Sequence, residues 1–266
     1  MENVSKEYFW WNLEESYFIG VLHDSIGLYF LEDHPYTNWE EFLSNDPHMA
    51  YAQLTYVRFD SLEQQFVDLR VIPQMLGVEK VPVISSVKNI NRYDWLKSIV
   101  DLALFRFSSI RDILFHFINE VLKLNIENYK LNTKYLIKAL KHKCPEIIED
   151  IKLIDKAGSS LRDNRNERAH KGFSNLFTKD DQMFRSVSWI EEQAKIHDYD
   201  LVAVYESSRE IIYKTVVSEV KNALEITIKI VDELYPYYRD EFENLANNSK
   251  TGDKLSQHFH LHKKED

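Results

Sequence analysis

Glycine and proline are scarce in this 266-residue chain, six of each, and that scarcity narrows its fold further than any other feature. All-β folds consume both residues in their many turns, whereas long uninterrupted helices need their absence. Apolar residues make up 44% and aromatics 13%, which excludes disorder as the general state and supplies a substantial core for one or two domains. The reading is therefore an all-α multi-helix bundle. A single cysteine, Cys144, rules out an internal disulfide and points to a reducing compartment. The first residues carry no secretory pattern, and no apolar run approaches the roughly 20 residues that span a bilayer. A soluble, cytoplasmic protein with no membrane partner is expected.

Apolar spacing and capping residues divide the chain. Phe9, Leu13, Tyr17, Ile19, Leu22 and Ile26 recur at helical spacing within residues 5–31. Asn38 is positioned to cap a short turn, and Asp46-Pro47 reads as a cap followed by proline at the first helical position, opening a helix to about residue 72. Pro73, Gly77 and Pro82 mark a break over 73–91. A long helix follows over about 92–124, with Ile110, Ile113, Leu114, Phe117, Ile118, Val121 and Leu122 as its core stripe. Asn132 caps a helix ending before Pro145, and Ile147, Ile148, Ile151 and Ile154 continue helical spacing beyond it. Residues 173–203 match no template well; Leu201–Val204 has the look of a short strand. A final helix is expected over about 207–245, with Ile211, Val216, Val220, Leu224, Ile228, Val231 and Leu234 inward. The expected organisation is a helical N-terminal region of unassigned role (1–90), a helical bundle of long antiparallel helices (91–247) and a disordered polar tail (248–266).

Net charge is −10, which argues against a general nucleic-acid-binding surface. It is unevenly spread. Residues 130–171 hold eleven Lys/Arg against six Asp/Glu, a balance of +5, so the remainder carries −15. Lys130, Lys134, Lys138, Lys141 and Lys143 have no acid among them, which suits either a polyanion partner or a solvated helix face.

The same sector ends in Arg165-Asn166-Glu167-Arg168-Ala169-His170-Lys171-Gly172. A guanidinium holds phosphate through parallel hydrogen bonds, and an imidazole exchanges a proton near neutral pH. Spacing alone does not decide the matter, because Arg111-Asp112-Ile113-Leu114-Phe115-His116 fits the same pattern. That second match sits among apolar residues and is read as structural, unless Asp112 or His116 faces the same cleft. The first follows Ser160 and Asp163, which resemble a capping box. On a helix starting there, Arg162, Arg165, Asn166 and His170 fall within an arc of about 140°, with small Ala169 inside it. Arg162 and Arg165 would occupy the first turns, where helix geometry favours an anion.

The string RNERAHKG resembles the signature of the HEPN superfamily (higher eukaryotes and prokaryotes nucleotide-binding domain), matched by Arg165, Asn166 and His170. The resemblance implies a helical bundle, HEPN-like in the C-terminal half, that commonly dimerises. It further implies a metal-independent endoribonuclease of toxin–antitoxin or antiviral-defence type, with no cofactor. RNA would be cut by its own 2′-hydroxyl attacking the adjacent phosphate. His170 would serve as general acid or base, Arg165 would stabilise the phosphate, and Asn166 would orient either. Arg162, Arg168 and Lys171 are the expected phosphate or RNA contacts. One His does not readily serve as acid and base together, so a homodimer with a composite site is expected, with an antitoxin or regulatory protein as a further partner. The tyrosine two residues after the His in some HEPN toxins is replaced here by Gly172, which removes support for an antitoxin that modifies it. The rival expectation is a catalytically silent HEPN bundle that binds RNA, nucleotide or a protein.

Other chemistry is weaker. No Glu-x-x-His pair suits a di-metal carboxylate bundle, and no Gly-rich phosphate loop is present. His258, His260 and His262 alternate without an accompanying Cys, Cys144 reads as an inert thiol despite Lys141 and Lys143, and Trp10-Trp11 reads as packing rather than a base-stacking surface.

Overall fold

In the computed structural model the described residues are 13, 16–23, 37–77, 90–158, 181–190 and 200–248. They are helical, with no strand among them. The helices are α1 (17–23), α2 (Trp39–Asn45), α3 (Pro47–Leu69), α4 (Val71–Leu76), α5 (Arg92–Val121), α6 (Thr133–Lys143), α7 (Ile148–Lys156), α8 (Asp181–Ile190) and α9 (Leu201–Asn247). Short 3-10 turns at Asn128–Lys130 and Pro145–Ile147 precede α6 and α7.

Local chemistry sets most boundaries. The Asn38 side chain accepts from the Glu41 amide at 2.9 Å, opening α2. Asn91 and Asp94 cap α5 reciprocally: Asn91 Oδ1 accepts from the Asp94 amide at 2.8 Å, and its Nδ2 donates to the Asp94 carboxylate at 2.7 Å. Asn132 accepts from the amides of Lys134 and Tyr135. After α5, Lys123 and Asn125 adopt positive φ (46° and 53°), and Asn119 clamps the turn by bonding both the N–H and the carbonyl of Ile126.

Three expectations are corrected. Leu201–Val204 is the first turn of α9, not a strand, because Leu201, Tyr205, Ser208 and Ile212 are buried at helical spacing. Ile211, expected inside, is 50% exposed, and its neighbour Ile212 takes the inward position. Pro73 does not break the chain where expected either. It lies in the first turns of α4, where a missing N–H is tolerated, and the helix runs on to Leu76.

The chain forms two compact units, each assembled from separate stretches. In the first (described parts of 65–110 and 156–223), Leu96, Ile99, Leu104 and Phe107 of α5 are buried, as are Phe184 and Val187 of α8 and Tyr205, Ile212, Val216 and Val220 of α9. Tyr93 meets Phe184 edge-on at 5.6 Å, the Arg92 guanidinium lies 5.1 Å from the Tyr205 ring, and Arg106 pairs with Asp68 at 2.8 Å.

The second unit (described parts of 12–64, 111–155 and 224–266) has an aromatic centre. Phe18 packs against Phe117 and Tyr238, and Phe59 against Phe117. Tyr51 stacks on Tyr238 at 5.2 Å and donates to the Val121 carbonyl at 2.6 Å. Pairings fix helix direction here. Tyr51 meets Val121 while Phe59 meets Phe117, so α3 runs antiparallel to α5. His48 meets Phe242 while Tyr51 meets Tyr238, so α3 also opposes α9. Asp150 with Lys229 and Glu146 with Tyr237 set α7 antiparallel to α9. The all-α, antiparallel reading of the sequence is what the fold contains.

Candidate functional site

Arg162, Arg165, Asn166, Arg168, His170 and Lys171 lie outside the described residues, as do Trp10, Trp11, His258, His260 and His262. The structure defines the chain on either side of the Arg–His segment, within the first unit. Upstream, α7 ends at Lys156 and is followed by a turn at Ala157-Gly158. Gly158 has φ +61°, a conformation that penalises a side chain. A Cβ there would meet Phe107 Cε1 at 1.8 Å, so the ring fills the space that any other residue would need. The Gly158 N–H donates to the Glu219 carboxylate of α9 at 2.9 Å. The exit from α7 is thus fixed by backbone conformation, ring packing and a charge-assisted hydrogen bond.

Downstream, α8 opens with buried Asp181 in its first turn, where a carboxylate complements the helix dipole. Phe184, Val187 and Ser188 face inward. Gln182, Arg185, Ser186 and Trp189 occupy the outer arc and, with Tyr93 and Asp181, line a cavity of about 600 Å³. Trp189 is 66% exposed. A large aromatic plane, a guanidinium, an amide and a hydroxyl thus border an open depression on the surface of this unit. Sequence reading missed this group because it left 173–203 unassigned; the signal was the spacing of Phe184, Val187 and Ser188.

The second Arg–His match lies in α5 and belongs to the other unit. Arg111 bonds the Asp112 carboxylate at 2.7 Å and that of Asp155 at 3.1 Å, and its guanidinium lies over Phe115. Its hydrogen-bonding capacity is directed at two acids of its own fold, as a structural role requires. His116 is half-buried; burial, then the nearby Arg58 charge, hold its pKa below the usual value, with Asp112 opposing.

In that same unit the expected basic sector is realised on α6, whose Lys134, Lys138, Lys141, His142 and Lys143 are all exposed. Cys144 is buried, and burial followed by the neighbouring Glu146 pushes its thiol up to about 12. Lys143 and Lys141, one and three residues away, do not activate it, because desolvation of the thiolate outweighs their screened charge. Among the described residues, no three His, Cys, Asp or Glu side chains gather so as to hold a metal ion. No helix among them is long and apolar enough to cross a membrane.

The chain matches none of the curated proteins and none of the solved structures with which it was compared. A family model does match, described as HEPN_Cthe2314-like HEPN, over residues 51–239. That span covers well over half of the chain and contains the Arg165–His170 segment. The all-α architecture of the described residues is consistent with that match, and the chain belongs to the HEPN_Cthe2314-like HEPN family.

Proposed function

We propose that this protein is a metal-independent endoribonuclease of the HEPN type, acting in the cytoplasm as a toxin or antiviral-defence component. The observation that carries the reading is the Arg165-Asn166-x3-His170 signature inside the matched family span. In the reaction the 2′-hydroxyl oxygen of RNA bonds to the adjacent phosphorus, and the bond from phosphorus to the 5′-oxygen breaks. The proton leaving the 2′-hydroxyl passes to an imidazole, and a second imidazolium protonates the departing 5′-oxygen. His170 of two protomers supplies both groups in a composite homodimer site. Arg165 offsets the charge that builds on the phosphoryl oxygens, Asn166 orients the imidazole or the phosphate, and Arg162, Arg168 and Lys171 hold flanking phosphates. An antitoxin or regulatory protein would hold such a nuclease in check.

Purified protein incubated with total cellular RNA in EDTA tests the proposal. Cleavage is expected to persist in the chelator and to fall at least 100-fold in His170→Ala and Arg165→Ala, each retaining the helical circular dichroism of the parent. Undiminished cleavage in His170→Ala would sink the assignment. One observation favours a second reading, a silent HEPN bundle that binds RNA, nucleotide or protein: the −15 charge outside residues 130–171 opposes productive RNA association. Binding without cleavage by the parent protein would select it.

A further inference from the structure

We propose that the outward face of α6 is a docking surface for single-stranded RNA, with lysines on the phosphates and tyrosine against the bases. The inference rests on the ribonuclease reading above for its choice of polyanion, and on α6 for its location. Lys134, Lys138 and Lys141 fall within an arc of about 60° on this helix. Leu136 and Leu140, both fully buried, lie on the opposite side and fix that arc toward solvent. His142 and Tyr135 flank the arc at about 80° and 100° from Lys134. Tyr135 is 47% exposed, and Tyr129, just before the helix, is 79% exposed. The helix carries no Asp or Glu.

Pairing sets these lysines apart. Elsewhere on the described surface Lys97 pairs with Asp101, Lys152 with Glu149, Lys214 with Glu210 and Lys229 with Asp150. Among the described residues, Lys134, Lys138, Lys141 and Lys143 have no acid within ion-pair distance, a state they share with Lys156 alone among the described lysines. Folding alone accounts for only part of this pattern. Cations in the last turn of a helix suit its dipole, which covers Lys141, His142 and Lys143. Lys134 sits in the first turn, where a cation opposes the dipole, and Lys138 follows it at the i+4 spacing where like charges repel. A bound anion removes both penalties. The exposed Tyr135 beside the charges favours RNA over an acidic protein surface, because single-stranded RNA offers phosphates and unstacked bases together; the Tyr129 ring is already covered by the Lys130 ammonium at 5.0 Å.

The test uses the full-length protein and a fluorescein-labelled 2′-O-methyl RNA 20-mer of mixed sequence. This probe lacks the attacking hydroxyl and survives an active nuclease. Parent protein is expected to bind it with an affinity that falls steeply with salt. The Lys134→Gln, Lys138→Gln, Lys141→Gln triple variant is expected to bind at least tenfold more weakly. Its slope of log affinity against log salt should be shallower by about 2, since each single-strand phosphate contact contributes about 0.7. Tyr135→Ala is expected to weaken binding several-fold with the salt slope unchanged. Equal affinity and slope in parent and triple variant would overturn the proposal, as would no binding by the parent. So would a triple variant that changes the sedimenting mass of the protein while leaving RNA affinity intact, which would assign the face to a second copy of the chain. His170→Ala is expected to bind this probe like the parent. Loss of cleavage with retained docking, or the reverse, therefore separates failure of this inference from failure of the catalytic reading.

Discussion

His48 is fully buried, packs edge-on against Phe242 at 5.3 Å, and has no hydrogen-bond partner at either ring nitrogen. Burial holds its pKa below 6.5, with the Asp46 charge opposing. The folded state therefore refuses a proton that the unfolded chain accepts. The sign follows from linkage: this contribution to stability is complete above the unfolded value of about 6.5 and is lost as pH falls below it toward the folded pKa. The urea midpoint of His48→Phe is expected to decline less between pH 7 and pH 5 than that of the parent; parallel declines would refute this role. Cys144 gives a second prediction. With its thiol pushed up to about 12, it should resist iodoacetamide at pH 8 in the native protein and react fully in urea. Its inertness was legible only in part, because the order of residues sets Lys141 and Lys143 beside it and does not show the burial that outweighs them. The loneliness of His48 was not, because nothing in the order of residues shows which polar side chains lack a partner.

Among the elements, the turn at Gly158 governs how the chain leaves α7 toward the Arg–His segment. Gly158→Ala places a methyl group against Phe107 and forces an L-residue to φ +61°, and is expected to cost on the order of 3 kcal/mol. Phe107→Leu in the same chain should recover part of the loss, since it removes the collision and leaves the backbone penalty. A Gly158→Ala protein with the parent's urea midpoint would contradict the geometry. Capping residues made other elements readable: Asn38, Asn132 and Pro47 each stand at the helix start expected of them. The start of α9 was misread because Val202 and Val204 raise β propensity. Burial of Leu201 and Tyr205 at helical spacing overrides that local preference. Likewise Pro73 reads as a breaker until its position in the first turns of α4 is known.

For the whole molecule, scarcity of glycine and proline made the all-α class legible, and the RNERAHKG string made the family legible; the match over 51–239 agrees with both. The geometry of the signature was not legible, because helix spacing places four side chains on one arc without showing what stands opposite them. The proposed acid–base pair requires two copies of His170, so the protein is expected to sediment at about twice its 31.7 kDa chain mass. Mixing Arg165→Ala and His170→Ala subunits should give less cleavage than parent dimers, and a strictly monomeric protein that cleaves at the parent rate would exclude the composite site. The most direct test of the central claim is the chemistry of the cut ends of RNA incubated with the parent protein in EDTA. The expected products carry 2′,3′-cyclic phosphates and 5′-hydroxyls, and both disappear in His170→Ala. Intact RNA, 3′-hydroxyl ends, or cyclic phosphates formed equally by His170→Ala would contradict it.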